Sequence, residues 1–139
     1  MNTERTLSII KPDGVKNNLI GTIINIFEEQ KLKIIAARME LLNSREVEGF
    51  YYIHRDKIFF KKLVKFMTSG PVFLMVLEGK NAVKKTRIIS GHTDPNLAVS
   101  GSIREKFAKS IDENIIHSSD LIKTAIFEID WFFSSCNIY

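Results

Sequence analysis

The sequence has little cysteine and no long apolar run, and both absences narrow the kind of protein it encodes. Its single cysteine, Cys136, cannot form an internal disulfide. No apolar segment approaches the roughly 20 residues that a membrane-spanning helix needs. No charged-then-apolar leader precedes Thr6. We therefore expect a cytoplasmic protein without a membrane segment.

The sequence also lacks the glycine-rich signatures of common phosphate-binding loops. None of its seven glycines belongs to a loop that ends in Lys-Ser/Thr or to the three-glycine dinucleotide fingerprint. The three histidines and one cysteine lack the spacing of a zinc site. His54-Arg55-Asp56 imitates the start of a protein-kinase catalytic loop, but Lys61 stands where that loop needs asparagine. A nucleotide site must therefore be built from side chains, and we expect no metal held by protein ligands alone.

Length and charge fit one domain that binds small anions. A chain of 139 residues with 45% apolar content has the size of a single domain, 1–139, since ordinary domains have roughly 100 to 150 residues. Lysine and arginine number 20 against 16 acidic residues, for a net charge of +4. This mild excess suits ligands such as nucleotides but is small for a protein that coats nucleic acid.

The spacing of apolar residues predicts strands alternating with helices. The predicted strands are 6–10, 33–42, 72–77 and 115–117, and the predicted helices are 19–31, 43–54, 59–68, 81–90 and 120–133. This order predicts an α/β (α+β) sandwich of the ferredoxin-like βαββαβ type, with a four-stranded antiparallel sheet and additional helices. Helices would cover one sheet face, and the other would need its own cover or a partner. The alternative is a doubly wound parallel sheet, which fits four short strands less economically.

One histidine stands where an apolar run meets small polar residues that begin a helix. The segment 114–120 (NIIHSSD) places His117 at this junction. The positive end of the helix dipole would disfavour the imidazolium form and leave a neutral ring nitrogen free to attack an electrophile. Unpaired backbone N–H groups there would hold a phosphate. Taken alone, a lone histidine is more often simply the end of a strand.

Basic and polar residues near element ends form a candidate anion site. Arginine can bond two phosphate oxygens at once, whereas lysine acts as a point charge. Each such residue alone is more often a solvated surface group. The candidates are Lys11, Arg87, Thr93, Arg104 and Asn114.

Two further side chains have alternative interpretations. Phe59 either opens a core stripe with Leu63 and Met67 or forms an exposed platform for a base, and the spacing slightly favours the core. Glu128 lies at the edge of the apolar stripe of the last helix. There it is either an ordinary border charge or a carboxylate that reaches a ring nitrogen of His117 and fixes its tautomer.

Six segments, in order along nearly the whole chain, resemble the signature segments of the nucleoside diphosphate kinases. The segment that contains His117 is the most specific. The segments are TLSIIKPDG (6–14), EGFY (48–51), TSGP (68–71), GHTDP (91–95), GSIR (101–104) and SIDENIIHSSD (110–120).

The resemblance implies a ping-pong reaction that moves the γ-phosphate of a nucleoside triphosphate, mainly ATP, to nucleoside diphosphates through a phosphohistidine on His117. Mg2+ would arrive bridging the nucleotide phosphates. The family further implies a homotetramer, with a homohexamer as the alternative. By this resemblance the ribose and phosphate contact Lys11, the sugar contacts Asn114, and the phosphates contact Arg87, Thr93 and Arg104. Phe59 stacks on the base, and Tyr51 lies beside Lys11. Glu128 orients His117, and Ser119 supplies a hydroxyl near the phosphate.

Two alternatives and two departures accompany this interpretation. A nucleic-acid-binding module on the same fold would carry a basic-glycine-aromatic strand motif, which the strand 72–77 lacks, so nucleic acid is at most a secondary, salt-sensitive partner. A catalytically silent relative is disfavoured because every matched catalytic position has the expected residue type.

Two residues depart from the family pattern. Ser118 stands where many relatives have glycine, and it removes some backbone freedom. Ser100 stands where relatives often have proline, and we expect a less rigid loop there.

Overall fold

A computed structural model describes residues 2–139 as four strands and seven α-helices. The strands are β1 (Thr3–Ile10), β2 (Lys33–Glu40), β3 (Val72–Lys80) and β4 (Ile116–Ser118). The helices are α1 (Pro12–Lys16), α2 (Ile20–Glu29), α3 (Ser44–Phe50), α4 (Phe60–Met67), α5 (Ala82–Ser90), α6 (Ile103–Phe107) and α7 (Ile122–Phe132). Among these described residues, no helix is both long and apolar enough to cross a membrane.

The four strands form one antiparallel sheet in the order β2-β3-β1-β4. Strands β1 and β3 lie at the centre and pair over their full length, from Thr3 opposite Lys80 to Ile10 opposite Phe73. The short edge strand β4 pairs with the end of β1, which puts His117 opposite Ile9. The predicted ferredoxin-like α+β architecture with additional helices is therefore confirmed, and the doubly wound alternative is excluded.

Helices cover both faces of the sheet, so the face that was predicted to need its own cover or a partner has helices of its own. Alternate residues of β3 point to opposite sides, as the period of a strand requires. Leu74 and Val76 pack in a core with residues of α3, α4 and α7, whereas Met75 and Leu77 pack in a second core with residues of α2, α5 and α6. Helices α3, α4 and α7 supply the cover that this face was predicted to need.

Element boundaries differ from the prediction where residues are polar or segments are short. Strand β1 begins at Thr3 because its polar start pairs with β3, and Arg5 forms an ion pair with Glu78 at 2.9 Å. Helix α1 was expected to be a turn, and α6 was not expected; each has five residues, too few to show helical spacing. Helix α3 ends at Phe50, before a short 3-10 turn, Tyr52–His54. Helix α7 begins at Ile122 rather than at the predicted Asp120.

Candidate active site

A cleft of about 970 Å³ lies where β4, helices α3 and α4 and the loop after α5 meet. Its walls bring together residues that are far apart in the sequence, from the end of β1 to the middle of α7. All but one of the predicted site residues line it: Lys11, Tyr51, Phe59, Arg87, Thr93, Arg104, Asn114, His117 and Glu128. The sequence therefore selected residues that share one surface.

The side chain of His117 is fixed by a carboxylate from α7. The ring Nε2 lies 2.8 Å from Glu128 Oε1, and Glu128 is only 6% exposed. Because an ionised carboxylate can only accept, Nε2 carries the proton and Nδ1 keeps its lone pair. The predicted contact between Glu128 and His117 is present, and its effect is to select one tautomer.

Ser119 is the one predicted residue outside the cleft lining. Its side chain is fully buried, and its hydroxyl donates to Glu128 Oε1 at 2.6 Å. The same hydroxyl oxygen accepts from the Leu7 N–H at 3.3 Å. Ser119 therefore lies behind Glu128, where its hydroxyl holds the carboxylate that contacts the histidine.

Lys11 and Asn114 form a buried pair beside the histidine. The Lys11 ammonium donates to Asn114 Oδ1 at 2.7 Å, and Asn114 Nδ2 donates to the Thr93 carbonyl at 3.3 Å. Burial and the positive charge of Arg104 lower the pKa of Lys11 to about 7, against the opposing attraction of Asp13. Lys11 is thus a cation that its surroundings hold near its point of deprotonation.

Arg104 is buried and braces the loops around the histidine. Its guanidinium donates to three backbone carbonyls: Asn114 at 3.3 Å, Gly91 at 2.9 Å and Ile116 at 2.5 Å. Burial and the charge of Arg87 lower the pKa of Arg104 to about 10. Three of the five guanidinium N–H groups are therefore engaged, and two remain for a ligand.

Arg87 and Thr93 occupy the more open part of the wall. Arg87 is exposed and donates to the Ser118 carbonyl at 3.3 Å. Thr93 is exposed, on the loop after α5, and its recorded hydrogen bond is through the backbone carbonyl. Both side chains keep their polar atoms available to a ligand in the cleft.

Aromatic side chains also line the cleft. The Tyr51 ring stands edge-on to the His117 ring, with centroids 5.8 Å apart. Its hydroxyl is buried and has no hydrogen-bond partner among residues 2–139. Burial and the charge of Glu128 raise the pKa of Tyr51. Phe59 is 45% exposed, so the core position that spacing slightly favoured is wrong, and its ring is open to a flat ligand.

Comparison with known proteins agrees with this geometry. The family model "Nucleoside diphosphate kinase" matches residues 4–138. The chain belongs to the nucleoside diphosphate kinase family. It is 54% identical to a nucleoside diphosphate kinase of Nitrosospira multiformis over 100% of this chain and 99% of that one. It is also 54% identical to nucleoside diphosphate kinase 2 of Protochlamydia amoebophila over 99% and 96% of the two chains.

Solved structures give the same result. The structure of the Aquifex aeolicus nucleoside diphosphate kinase superposes with a TM-score of 0.97 at 40% identity, covering 99% of this chain and 100% of that one. A nucleoside diphosphate kinase from Halobacterium salinarum in complex with CDP superposes with a TM-score of 0.96 at 37% identity, covering 99% and 92%. The predicted family and function are thus confirmed: the chain is a nucleoside diphosphate kinase by family, a phosphotransferase family whose general mechanism is ping-pong through a phosphohistidine.

Two side-chain hydrogen bonds in this nucleoside diphosphate kinase domain were not predicted from the sequence. Asp13 Oδ2 accepts from the Ile115 N–H at 3.0 Å; its only signal was an acidic residue directly after Lys11-Pro12. The Ser118 hydroxyl lies 2.7 Å from the Ser90 hydroxyl, and both residues are buried. Serine at this position is therefore accommodated by a hydrogen bond, which a glycine could not make.

Proposed function

We propose that His117 is the residue that carries the phosphate, with Nδ1 as the attacking atom. The observation that carries this proposal is the 2.8 Å contact between Nε2 and Glu128 Oε1. It leaves Nδ1 unprotonated, and His117 lines the cleft. In the first half-reaction, Nδ1 forms a bond to the γ-phosphorus of a nucleoside triphosphate as the bond to the bridging oxygen breaks. The nucleoside diphosphate then leaves.

The second half-reaction reverses these steps with another diphosphate. A terminal oxygen of its β-phosphate attacks the phosphorus, and the P–N bond breaks. Nε2 keeps its proton throughout, so the phosphorylated ring is positively charged while the Glu128 carboxylate lies against it. Glu128 thus stabilises the charge that phosphorylation creates, and Ser119 holds Glu128 in place.

The phosphates are proposed to bind to Lys11, Arg87, Thr93 and Arg104. The sugar is proposed to bind to Asn114 together with Lys11. The two unused N–H groups of Arg104 and two of the three on Lys11 Nζ are the donors available beside His117. Phosphoryl transfer depends on positioning and on neutralised charge, and these residues supply both. Tyr51 packs beside them, and Phe59 stacks on the base.

We propose that Mg2+ enters with the nucleotide and is held mainly by its phosphates. Within residues 2–139, no three or more histidine, cysteine, aspartate or glutamate side chains lie together as a metal site. The cationic wall suits phosphate oxygens instead. When bound, the ion would neutralise part of the phosphate charge. Equal turnover with and without EDTA would contradict this proposal.

The finer predictions about assembly and location are also proposals. Exposed apolar side chains on the loop after α5, Leu97 at 66% and Val99 at 76%, support a homo-oligomer with a tetramer as the expected form and a hexamer as the alternative. Sedimentation equilibrium would distinguish them, and a monomer would contradict both. Fractionation of the source cells should find the protein in the cytoplasm. Any nucleic-acid binding should disappear at about physiological salt.

Transfer of label tests the proposed role of His117. Wild-type protein incubated with γ-labelled ATP and Mg2+ should acquire acid-labile, alkali-stable label, which GDP or CDP then removes as labelled triphosphate. His117→Ala should acquire none. His54→Ala, which changes another histidine that lines the same cleft, is the matched control and should still be labelled. Label retained by His117→Ala would overturn the proposal.

A further inference from the structure

The backbone just before the proposed nucleophile is strained. Ile115 has a φ of +73°, and the Ile116 N–H donates to the Asn114 carbonyl at 2.8 Å. This bond closes a three-residue γ-turn centred on Ile115, in the rare form with positive φ. Four non-glycine residues within 2–139 have positive φ, and Ile115 is the only β-branched one. A β-branched side chain is the least suited to this conformation.

The strained turn separates two proposed site residues. Asn114 precedes it and accepts from Lys11, and His117 follows it on β4. A change of the backbone at Ile115 would therefore move the amide relative to the ring. Strain of this kind persists only where surrounding contacts impose it, and it is concentrated at functional sites.

The contacts that impose the turn come from the segment after β1. Asp13 Oδ2 accepts from the Ile115 N–H at 3.0 Å, and the Lys11 N–H donates to the Ile115 carbonyl at 2.8 Å. Both backbone polar groups of the strained residue are thus taken by one short segment. Gly14 permits the close approach, since a Cβ there would lie 3.2 Å from the Ile115 carbonyl oxygen and 2.7 Å from Ile10 Cγ2.

The Asp13 carboxylate accepts from the Ile115 N–H of a distant part of the chain, and its charge also attracts the Lys11 ammonium. Its second oxygen, Oδ1, is buried and has no hydrogen-bond partner within residues 2–139. The nearby Lys11 ammonium donates to Asn114 instead. Burial raises the pKa of Asp13, which means that the fold holds the carboxylate where ionisation is disfavoured. An acidic group kept under these conditions needs a reason, and the strained turn is where its carboxylate contacts a distant part of the chain, through the hydrogen bond from the Ile115 N–H.

We propose that Asp13 is a positioning residue for phosphoryl transfer: by holding the γ-turn at Ile115 it sets the His117 ring relative to Asn114 and the bound phosphates. This inference rests on the proposed role of His117. Asp13 itself touches neither nucleotide nor phosphorus in this account. It acts through the backbone that leads to the nucleophile.

The first test compares Asp13→Ala with Asp13→Asn. The alanine variant loses the acceptor, whereas the asparagine variant keeps an oxygen that can accept from the Ile115 N–H. At saturating ATP, and at a temperature where all variants are folded, the single-turnover rate of His117 phosphorylation should fall at least about tenfold for Asp13→Ala. Asp13→Asn should recover most of it. Asp130→Ala, which changes an exposed aspartate of α7, is the control and should match wild type.

Comparing the phosphorylation rate with the Kd for ADP distinguishes a positioning residue from one with a general structural role. Loss of an ordinary structural contact would lower the melting temperature without changing the rate constant of the folded enzyme. The inference predicts a lowered rate with the calorimetric Kd for ADP changed by less than about threefold. Asp13→Ala with a wild-type rate, or Asp13→Asn as slow as Asp13→Ala, would overturn it. If wild-type His117 acquires no label, the proposed function fails instead, so the two failures are distinguishable.

Relief of the strain gives an independent test. Glycine adopts positive φ without steric conflict, so Ile115→Gly lowers the need for a clamp. In that background, Asp13→Ala should reduce the phosphorylation rate by less than about threefold, compared with the tenfold or greater loss in wild type. An equal loss in both backgrounds would show that Asp13 acts by a route other than the turn, and the inference would be wrong.

Discussion

The two ends of the cleft differ in how firmly their side chains are held. At the histidine end, Lys11, Arg104 and Glu128 are buried and hydrogen-bonded to neighbours. At the other end, Phe59 is 45% exposed, and the ion pair between Lys62 and Asp112 is open to solvent. Side chains are therefore held in fixed positions at the end where bonds would form and break. The end proposed for the base presents an accessible aromatic surface instead.

This difference agrees with what each end is proposed to do. In-line attack tolerates little displacement, since misplacement by about 1 Å can reduce a rate about 100-fold. A base that stacks on an aromatic ring needs no such precision, because every base has a π-face. Substitutions at the buried end should therefore change the rate strongly, and those at the exposed end should change affinity weakly and similarly for all bases.

The largest effect is expected for Glu128→Gln. The amide can still accept from Nε2–H, but it cannot neutralise the positive charge on the phosphorylated ring. The rate of His117 phosphorylation should fall on the order of 100-fold or more, while the affinity for nucleotide stays nearly unchanged. Single-turnover labelling and calorimetry measure the two quantities. Equal rates for variant and wild type would show that the negative charge of Glu128 does not assist phosphorylation.

A smaller effect is expected from the protonation of Lys11. With a pKa of about 7 before nucleotide binds, Lys11 must gain a proton when a polyanionic nucleotide binds at higher pH. The Kd for ADP should therefore rise about tenfold between about pH 6 and pH 8 beyond the change due to the phosphates. Binding near pH 8 should take up protons, measured by calorimetry in buffers of different ionisation enthalpy. The same measurements on Lys11→Met should lack this component.

The lowered pKa of Lys11 also makes the free energy of unfolding depend on pH. Between about 7 and 10.5 the unfolded chain holds a proton on this lysine that the folded protein lacks. The free energy of unfolding of the ligand-free protein should therefore rise with pH across this window, relative to Lys11→Met. Urea unfolding at several pH values measures the difference. A difference that falls as pH rises would mean that burial does not lower the pKa of Lys11.

At the exposed end, Phe59→Ala should weaken binding modestly. Loss of one stacking platform is worth about 1 kcal/mol, or roughly a fivefold increase in Kd. The increase should be similar for ADP, GDP and CDP, and the rate at saturation should be almost unchanged. Phe60→Ala makes a poor control because its ring packs against the core. Ile58→Ala, fully exposed beside Phe59, is a better one and should have no effect.

The smallest effect is expected for the ion pair between Lys62 and Asp112. The two side chains meet at 2.7 Å but are 69% and 49% exposed. Solvent and salt screen such pairs, which typically contribute less than about 1 kcal/mol. A double-mutant cycle with Lys62→Ala and Asp112→Ala should give little coupling in either stability or nucleotide affinity. Strong coupling would show that the exposed end is held as firmly as the histidine end.

The fold was largely predictable because its central strands have continuous apolar runs. Strand β3 and the final helix were found from spacing alone, with boundaries shifted by one or a few residues. Helices α1 and α6 were missed since five residues show no period, although Ser102, whose hydroxyl accepts from the Glu105 N–H, is a capping signal that was present in the sequence. The sequence indicated that the second sheet face needs its own cover or a partner. Which helices supply that cover could not be deduced, because spacing does not reveal which face a helix reaches.

The residues of the site could be predicted from the sequence, but their contacts with one another could not. Spacing and resemblance selected Lys11, Arg104 and Glu128, and all three line the cleft. The carbonyl contacts of Arg104 and the position of Ser119 behind Glu128 depend on how loops approach each other in space. No residue type or interval in the sequence encodes such approaches. The strained conformation of Ile115 is even less visible, because isoleucine normally indicates an extended strand.

The most direct test of the account is the position of the phosphate on the histidine ring. Protein labelled with 15N in histidine can be phosphorylated by ATP and studied by long-range 1H–15N and 31P NMR. The account predicts phosphate on Nδ1 of His117 with Nε2 protonated and hydrogen-bonded to Glu128. Phosphate on Nε2, or on any other residue, would contradict it, since the contact between Nε2 and Glu128 would then have to break before transfer.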